Sequence, residues 1–80
     1  MPVILRHLGF KFFFYSNEGN PRETAHIHVR SASREAKFWL APVIRLARND
    51  GYDAQTLREL TNVITEHHKQ LLEAWNGYFG

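Results

Sequence analysis

The chain has 80 residues, no cysteine, 44% apolar and 22% charged residues, and a net charge of +2. That length allows one domain with a thin core, spanning residues 1–80, and the composition is that of a folded chain rather than a disordered one. The lack of cysteine excludes disulfides, a thiol nucleophile and thiolate metal sites, and no apolar run approaches the roughly 20 residues of a membrane helix. The N-terminal stretch from Met1 to His7 shows no basic region followed by an apolar segment and cleavage site, so the expected location is the cytoplasm. Charge is uneven: residues 1–48 carry eight Lys/Arg against three acids, and residues 49–80 carry two against five. A basic first half points to an anionic partner, nucleic acid or an acidic protein, against the simpler reading of an unevenly charged solvated surface.

The first half predicts strands, between about residues 3 and 47. Val3–Arg6 is a short apolar run ended by Gly9, and Phe10–Tyr15 is aromatic and broken only by Lys11. Residues 16–21 form a dense turn signal. Ala25–Arg30 and Glu35–Leu40 alternate, joined by a hairpin connection at Ser31–Arg34, and Val43–Ala47 is read as an edge strand after Pro42. The second half predicts one long helix over about residues 54–77, N-capped by Asp53. Leu57, Leu60, Ile64, His67, Leu71, Trp75 and Tyr78 recur every three or four residues and mark one apolar stripe. The expected fold is therefore α+β: a three- to four-stranded, mostly antiparallel meander with one C-terminal helix packed across one face.

Strand parity sorts the two faces of that sheet. Phe10, Phe12 and Phe14, then Ile27 and Val29, then Ala36, Phe38 and Leu40 form the set expected under the helix. The opposite set holds Lys11, Phe13 and Tyr15, then His26, His28 and Arg30, then Glu35, Lys37 and Trp39. Exposed aromatics interleaved with cations suit base stacking and phosphate contact. They equally suit a face covered by a protein partner or a second copy of the chain.

His26 and His28 are the residues most suited to chemistry. Two imidazoles on one side of a strand can serve as base and acid in metal-independent RNA cleavage. Arg30 and Lys37 would be the phosphate cations, Tyr15 a secondary proton donor, and Tyr15 and Trp39 a stacking platform. The same pair could instead ligate zinc with a third ligand, His67 or His68 before Glu66 or Glu73. Parity opposes that, since it sends His67 to the opposite face, and the expectation is no metal and no cofactor. Structural roles for all these histidines remain a third reading. No Gly-rich phosphate loop, G-x-S-x-G or H-E-x-x-H occurs.

The blocks Gly9–Glu18, His26–Val29, Ala36–Leu40, Glu66-His67 and Leu71–Trp75 resemble, in order and spacing, the small bacterial family called domain of unknown function 4160. The family pattern Pro-Pro-His-(Ile/Phe)-His-Val is met at His26-Ile27-His28-Val29, with Thr24-Ala25 where the prolines usually stand. The positions matching the family's blocks are His26, His28, His67 and Trp75. The resemblance implies the toxin of a type II toxin–antitoxin pair with a cognate antitoxin encoded alongside. Joined to the histidine chemistry, the expectation is a metal-independent endoribonuclease with RNA as substrate, no membrane partner and a possible homo-oligomer. His26, His28 and Arg30 would be catalytic, with Lys37, Tyr15 and Trp39 holding substrate. The alternatives are a binding module without chemistry and a His-ligated metal protein.

Overall fold

A computed structural model describes residues 2–18 and 23–79 of the chain. Five strands form one antiparallel sheet in which spatial order equals chain order. They are β1 (Val3–His7), β2 (Phe10–Phe13), β3 (His26–Ser31), β4 (Arg34–Trp39) and β5 (Arg45–Asp50). A short 3₁₀ turn, Ser16–Glu18, follows β2, and two helices close the chain: α1 (Ala54–Glu66) and α2 (His68–Phe79). The α+β class agrees with the sequence reading, but the sheet has five strands rather than three or four, and the helix is broken in two. The remainder of the turn signal, residues 19–21, lies outside the described residues.

The differences have local causes. Val3–His7 pairs with β2, with a register shift between Val3 and Leu5, because Leu8 (φ 47°) and Gly9 (φ 85°) make a two-residue turn of the left-handed kind that matches strand twist. The edge strand starts at Arg45, two residues later than the pattern suggests, because residues 41–43 form a bend. It also runs on through Asn49 and Asp50, past the predicted end at Ala47. Asn49 is held by its side chain, which donates to the Tyr52 carbonyl at 2.8 Å and accepts from the Tyr52 N–H at 3.0 Å. The helix breaks at His67. There the backbone N–H and the ring Nδ1 both donate to the Val63 carbonyl, at 3.1 and 2.9 Å. His68 then bonds through Nε2 to the Leu40 carbonyl at the end of β4 (2.7 Å), which fixes where α2 begins.

The predicted N-cap is present: Asp53 Oδ1 accepts from the Thr56 N–H at 2.8 Å. So is the predicted helix-covered face. Phe12, Phe14, Ile27, Val29, Ala36, Phe38 and Leu40 are buried against Leu60, Val63, Ile64, Leu71 and Trp75, while Phe10 is only half-buried. Each fully buried Phe or Leu side chain contributes about 1.5–3 kcal/mol to the folded state. This layer is what the fold rests on, and it occupies one side of the sheet.

Candidate functional site

The second side of the sheet is covered at one end and open at the other. Across the strands, Arg6, Lys11, Arg30, Glu35 and Asp50 form one row, Phe13, His28, Lys37 and Arg48 the next, and His26, Trp39 and Arg45 a third. On the β2–β3 side, Phe13 and His26 are fully buried and His28 is 3% exposed. The expectation of solvent-facing histidines is therefore corrected. After β2 the chain folds its 3₁₀ turn back over the sheet and delivers Glu18, itself buried, onto both imidazoles. Trp75 packs on His26 (4.7 Å between ring centres), as does Trp39 (5.7 Å), and Phe13 stacks on His28 (5.6 Å).

Glu18 was not distinguishable in the sequence from any other turn residue, yet it is the hub. Its Oε2 lies 2.6 Å from His26 Nε2 and 2.7 Å from His28 Nε2, and its Oε1 accepts from the Tyr15 N–H at 2.9 Å. The second nitrogens differ. His26 Nδ1 is 2.8 Å from the Thr24 carbonyl and must carry a hydrogen, because a carbonyl only accepts. His28 Nδ1 has no hydrogen bond, the one such buried side-chain atom among the described residues, and lies 3.6 Å from Glu35 Oε2. Glu35 in turn accepts from the Tyr15 hydroxyl at 3.0 Å and faces Arg48 at 3.6 Å.

Charge states follow from these contacts. For Glu18, burial is the largest single influence and opposes ionisation. The hydrogen bonds from His28, His26 and the Tyr15 N–H together outweigh it and hold the carboxyl below its ordinary range. For His28, burial is the largest influence and, together with His26, outweighs the pull of Glu18 and Glu35, so the affinity for a second proton is lowered and the ring is neutral at pH 7, donating through Nε2. Burial, followed by the hydrogen bond to Glu35, raises the Tyr15 hydroxyl, which stays protonated.

The open end of the face holds the remaining predicted residues. Arg30 is exposed, Lys37 sits over the Trp39 ring at 4.5 Å and faces Glu23 at 3.7 Å, and Arg48 faces Asp50 at 3.2 Å. A shallow depression beside Trp39 is lined by Thr24, Ala41, Pro42 and Arg45. Tyr15 and Glu35, both half-buried, lie between this open part and the covered histidines. The structure thus joins His26, His28 and Tyr15 to Glu18 and Glu35 through polar contacts, packs Trp39 against His26, and leaves Arg30 outside that cluster. His67 and His68, the candidate third ligands of the alternative metal reading, are engaged with the carbonyls of Val63 and Leu40. Among the described residues the one three-residue group able to hold a metal is Glu18, His26 and His28.

A five-stranded antiparallel meander with two C-terminal helices on one face and a carboxylate–bis-imidazole cluster on the other defines a small α+β protein with a buried polar centre. A family model described as domain of unknown function (DUF4160) matches residues 9–76, and the chain belongs to that family. The matched span contains β2 to β5, the Glu18–His26–His28 cluster and most of both helices. Comparison with curated proteins and with solved structures gave no match. Among the described residues no helix is long and apolar enough to cross a membrane.

Proposed function

We propose that this protein binds RNA on the open basic face of its sheet and cleaves it, as the toxin-like member of a toxin–antitoxin pair. The observation that carries the reading is the gathering of Arg6, Lys11, Arg30, Lys37, Arg45 and Arg48 on one sheet face, with Trp39 among them. A row of cations follows a phosphate backbone, and an indole beside a shallow depression offers a base a stacking surface. Strand scission needs a base for the 2′-hydroxyl, a proton donor for the leaving oxygen and a cation for the phosphate. Glu35 and the protonated Tyr15 hydroxyl are the groups that a bound strand reaches, with Lys37 and Arg30 as cations. His26 and His28, buried behind them, are moved by this reading from direct acid–base work to holding Glu18 and Glu35 in place. A cognate antitoxin would cover the same face with an acidic surface.

Fluorescence anisotropy with a single-stranded RNA tests the binding. Affinity should fall with salt, by a slope of about −0.7 per phosphate neutralised, and Lys37→Ala should make that slope shallower by roughly one phosphate. Glu35→Gln should reduce cleavage roughly 10²–10⁴-fold with binding retained. Expression should arrest growth unless the neighbouring partner is supplied. An absence of RNA binding at 50 mM salt would refute the reading.

A further inference from the structure

We propose that Glu18, His26 and His28 form a mononuclear site for a zinc-class divalent transition metal, bound through Glu18 Oε2, His26 Nε2 and His28 Nε2. The inference does not depend on the RNA reading, because the three ligands lie beneath the face that would meet RNA and Glu35 alone is common to both. Two features of the hydrogen bonding and one of the geometry support it.

The first is His26. Its Nδ1 hydrogen is committed to the Thr24 carbonyl, so a neutral ring presents a lone pair at Nε2. That lone pair faces a carboxylate oxygen at 2.6 Å. Two acceptors at that distance require a cation between them, either a proton or a metal. A backbone carbonyl on Nδ1 is also the usual way a metal-binding histidine is oriented, with Nε2 turned to the ion.

The second is His28. With its hydrogen on Nε2, directed at Glu18, Nδ1 is left buried without a partner. A buried polar atom of this kind is costly. A metal on Nε2 moves the hydrogen to Nδ1, where Glu35 Oε2 stands 3.6 Å away. The orphaned atom then gains an acceptor, and the carboxylate–imidazole–metal arrangement common in metal sites is complete.

The third is convergence. One ligand atom from each residue lies within 4.8 Å of the other two. A metal about 2.0–2.1 Å from each ligand sets them roughly 3.3 Å apart, so the two short contacts to Glu18 would open by about 0.7 Å. Two imidazoles and one carboxylate suit zinc, iron or cobalt and not magnesium, which prefers oxygen. Burial of all three residues removes competing water from the ligand atoms.

The test uses the intact chain, stripped with chelator and titrated with zinc by calorimetry. One equivalent should bind with a dissociation constant below about 1 μM, and metal should raise the melting temperature by about 5 °C or more. Cobalt should give the visible absorption of a site with nitrogen and oxygen ligands. Glu18→Gln and His28→Gln should each weaken binding at least about 100-fold, whereas Glu66→Gln should leave it unchanged. Should those ligand variants fail to fold, ¹⁵N spectra of the histidines in the unmodified protein decide the matter. Zinc should perturb Nε2 of His26 and His28 and place a hydrogen on His28 Nδ1. No binding at 10 μM zinc would overturn the inference and leave a proton as the cation of the cluster. Binding that perturbs His7, His67 or His68 instead would overturn it equally.

Discussion

Trp75 connects the helical layer to the histidine cluster, and Trp75→Ala should damage both. Its side chain is 1% exposed and lies 5.1 Å from the Phe14 ring, 4.7 Å from His26 and 4.3 Å from Phe79, centre to centre. Truncating a buried Trp costs about 3–5 kcal/mol. An 80-residue domain has only about 4–12 kcal/mol in total. With a urea dependence of about 1 kcal/mol per molar for a chain of this size, the denaturation midpoint should fall by about 3 M, or the variant should be unfolded in water. Urea melts by far-UV circular dichroism measure this directly, and Trp39 remains as a second fluorescence reporter on β4. Trp75→Phe retains a ring and should lose less, while the NMR signals of His26 shift as the indole leaves. A Trp75→Ala midpoint within about 0.5 M of the parent would refute the reasoning, since α2 would then not be seated on β3.

Further outcomes are expected at other positions. Phe38→Ala, which empties a buried site beside Ile27, should cost about 3–5 kcal/mol by the same melts; near-parental melting would show that the buried face is misassigned. In metal-free protein, stability should fall on acidification. The folded state resists protonation of His28, so below about pH 6.5 the unfolded chain takes up the additional proton. Glu18, depressed in the fold, adds a loss of the same sign below about pH 4.3. Melting temperatures from pH 8 to 3 should therefore fall in two stages, and His28→Gln should flatten the upper one. Asp53→Ala should lower stability at neutral pH and leave it less sensitive to acid, because the ionised cap contributes above the carboxylate range and is lost as pH falls through its depressed value.

Parity carried most of the fold. The alternation in Phe12–Phe14, Ile27–Val29 and Ala36–Leu40 can be satisfied by one sheet face only, and those residues are the core. The break at His67 was hidden because the three- and four-residue spacing continues across it. At the break the His67 ring shares the Val63 carbonyl with its own backbone N–H, a side-chain contact that periodicity does not register. The candidate site was half legible. His26 and His28 stand out by type and spacing, but their burial depends on Glu18 and Trp75, which arrive from a turn and from a helix about 50 residues on. Parity places a side chain on a side of the sheet. It does not say whether a turn will fold back and close that side, and the reading of an open histidine face failed for that reason.

The order β1-β2-β3-β4-β5 in space has a consequence for how the chain acquires its structure. Every strand pairs with the one just before it, so no pairing waits for a distant segment, and contact order within the sheet is low. Hairpins can form one after another as the chain lengthens, with loop-closure entropy paid in small steps. The apolar face is different, because nothing covers Phe12, Phe14, Ile27 and Phe38 until residues 54–79 have folded. A nascent chain therefore passes through a stage with a paired sheet and a bare aromatic face, the stage at which such a chain is most prone to associate with others. Variants that weaken α1 or α2 should accordingly be betrayed by low soluble yield before any effect on the polar cluster is measured.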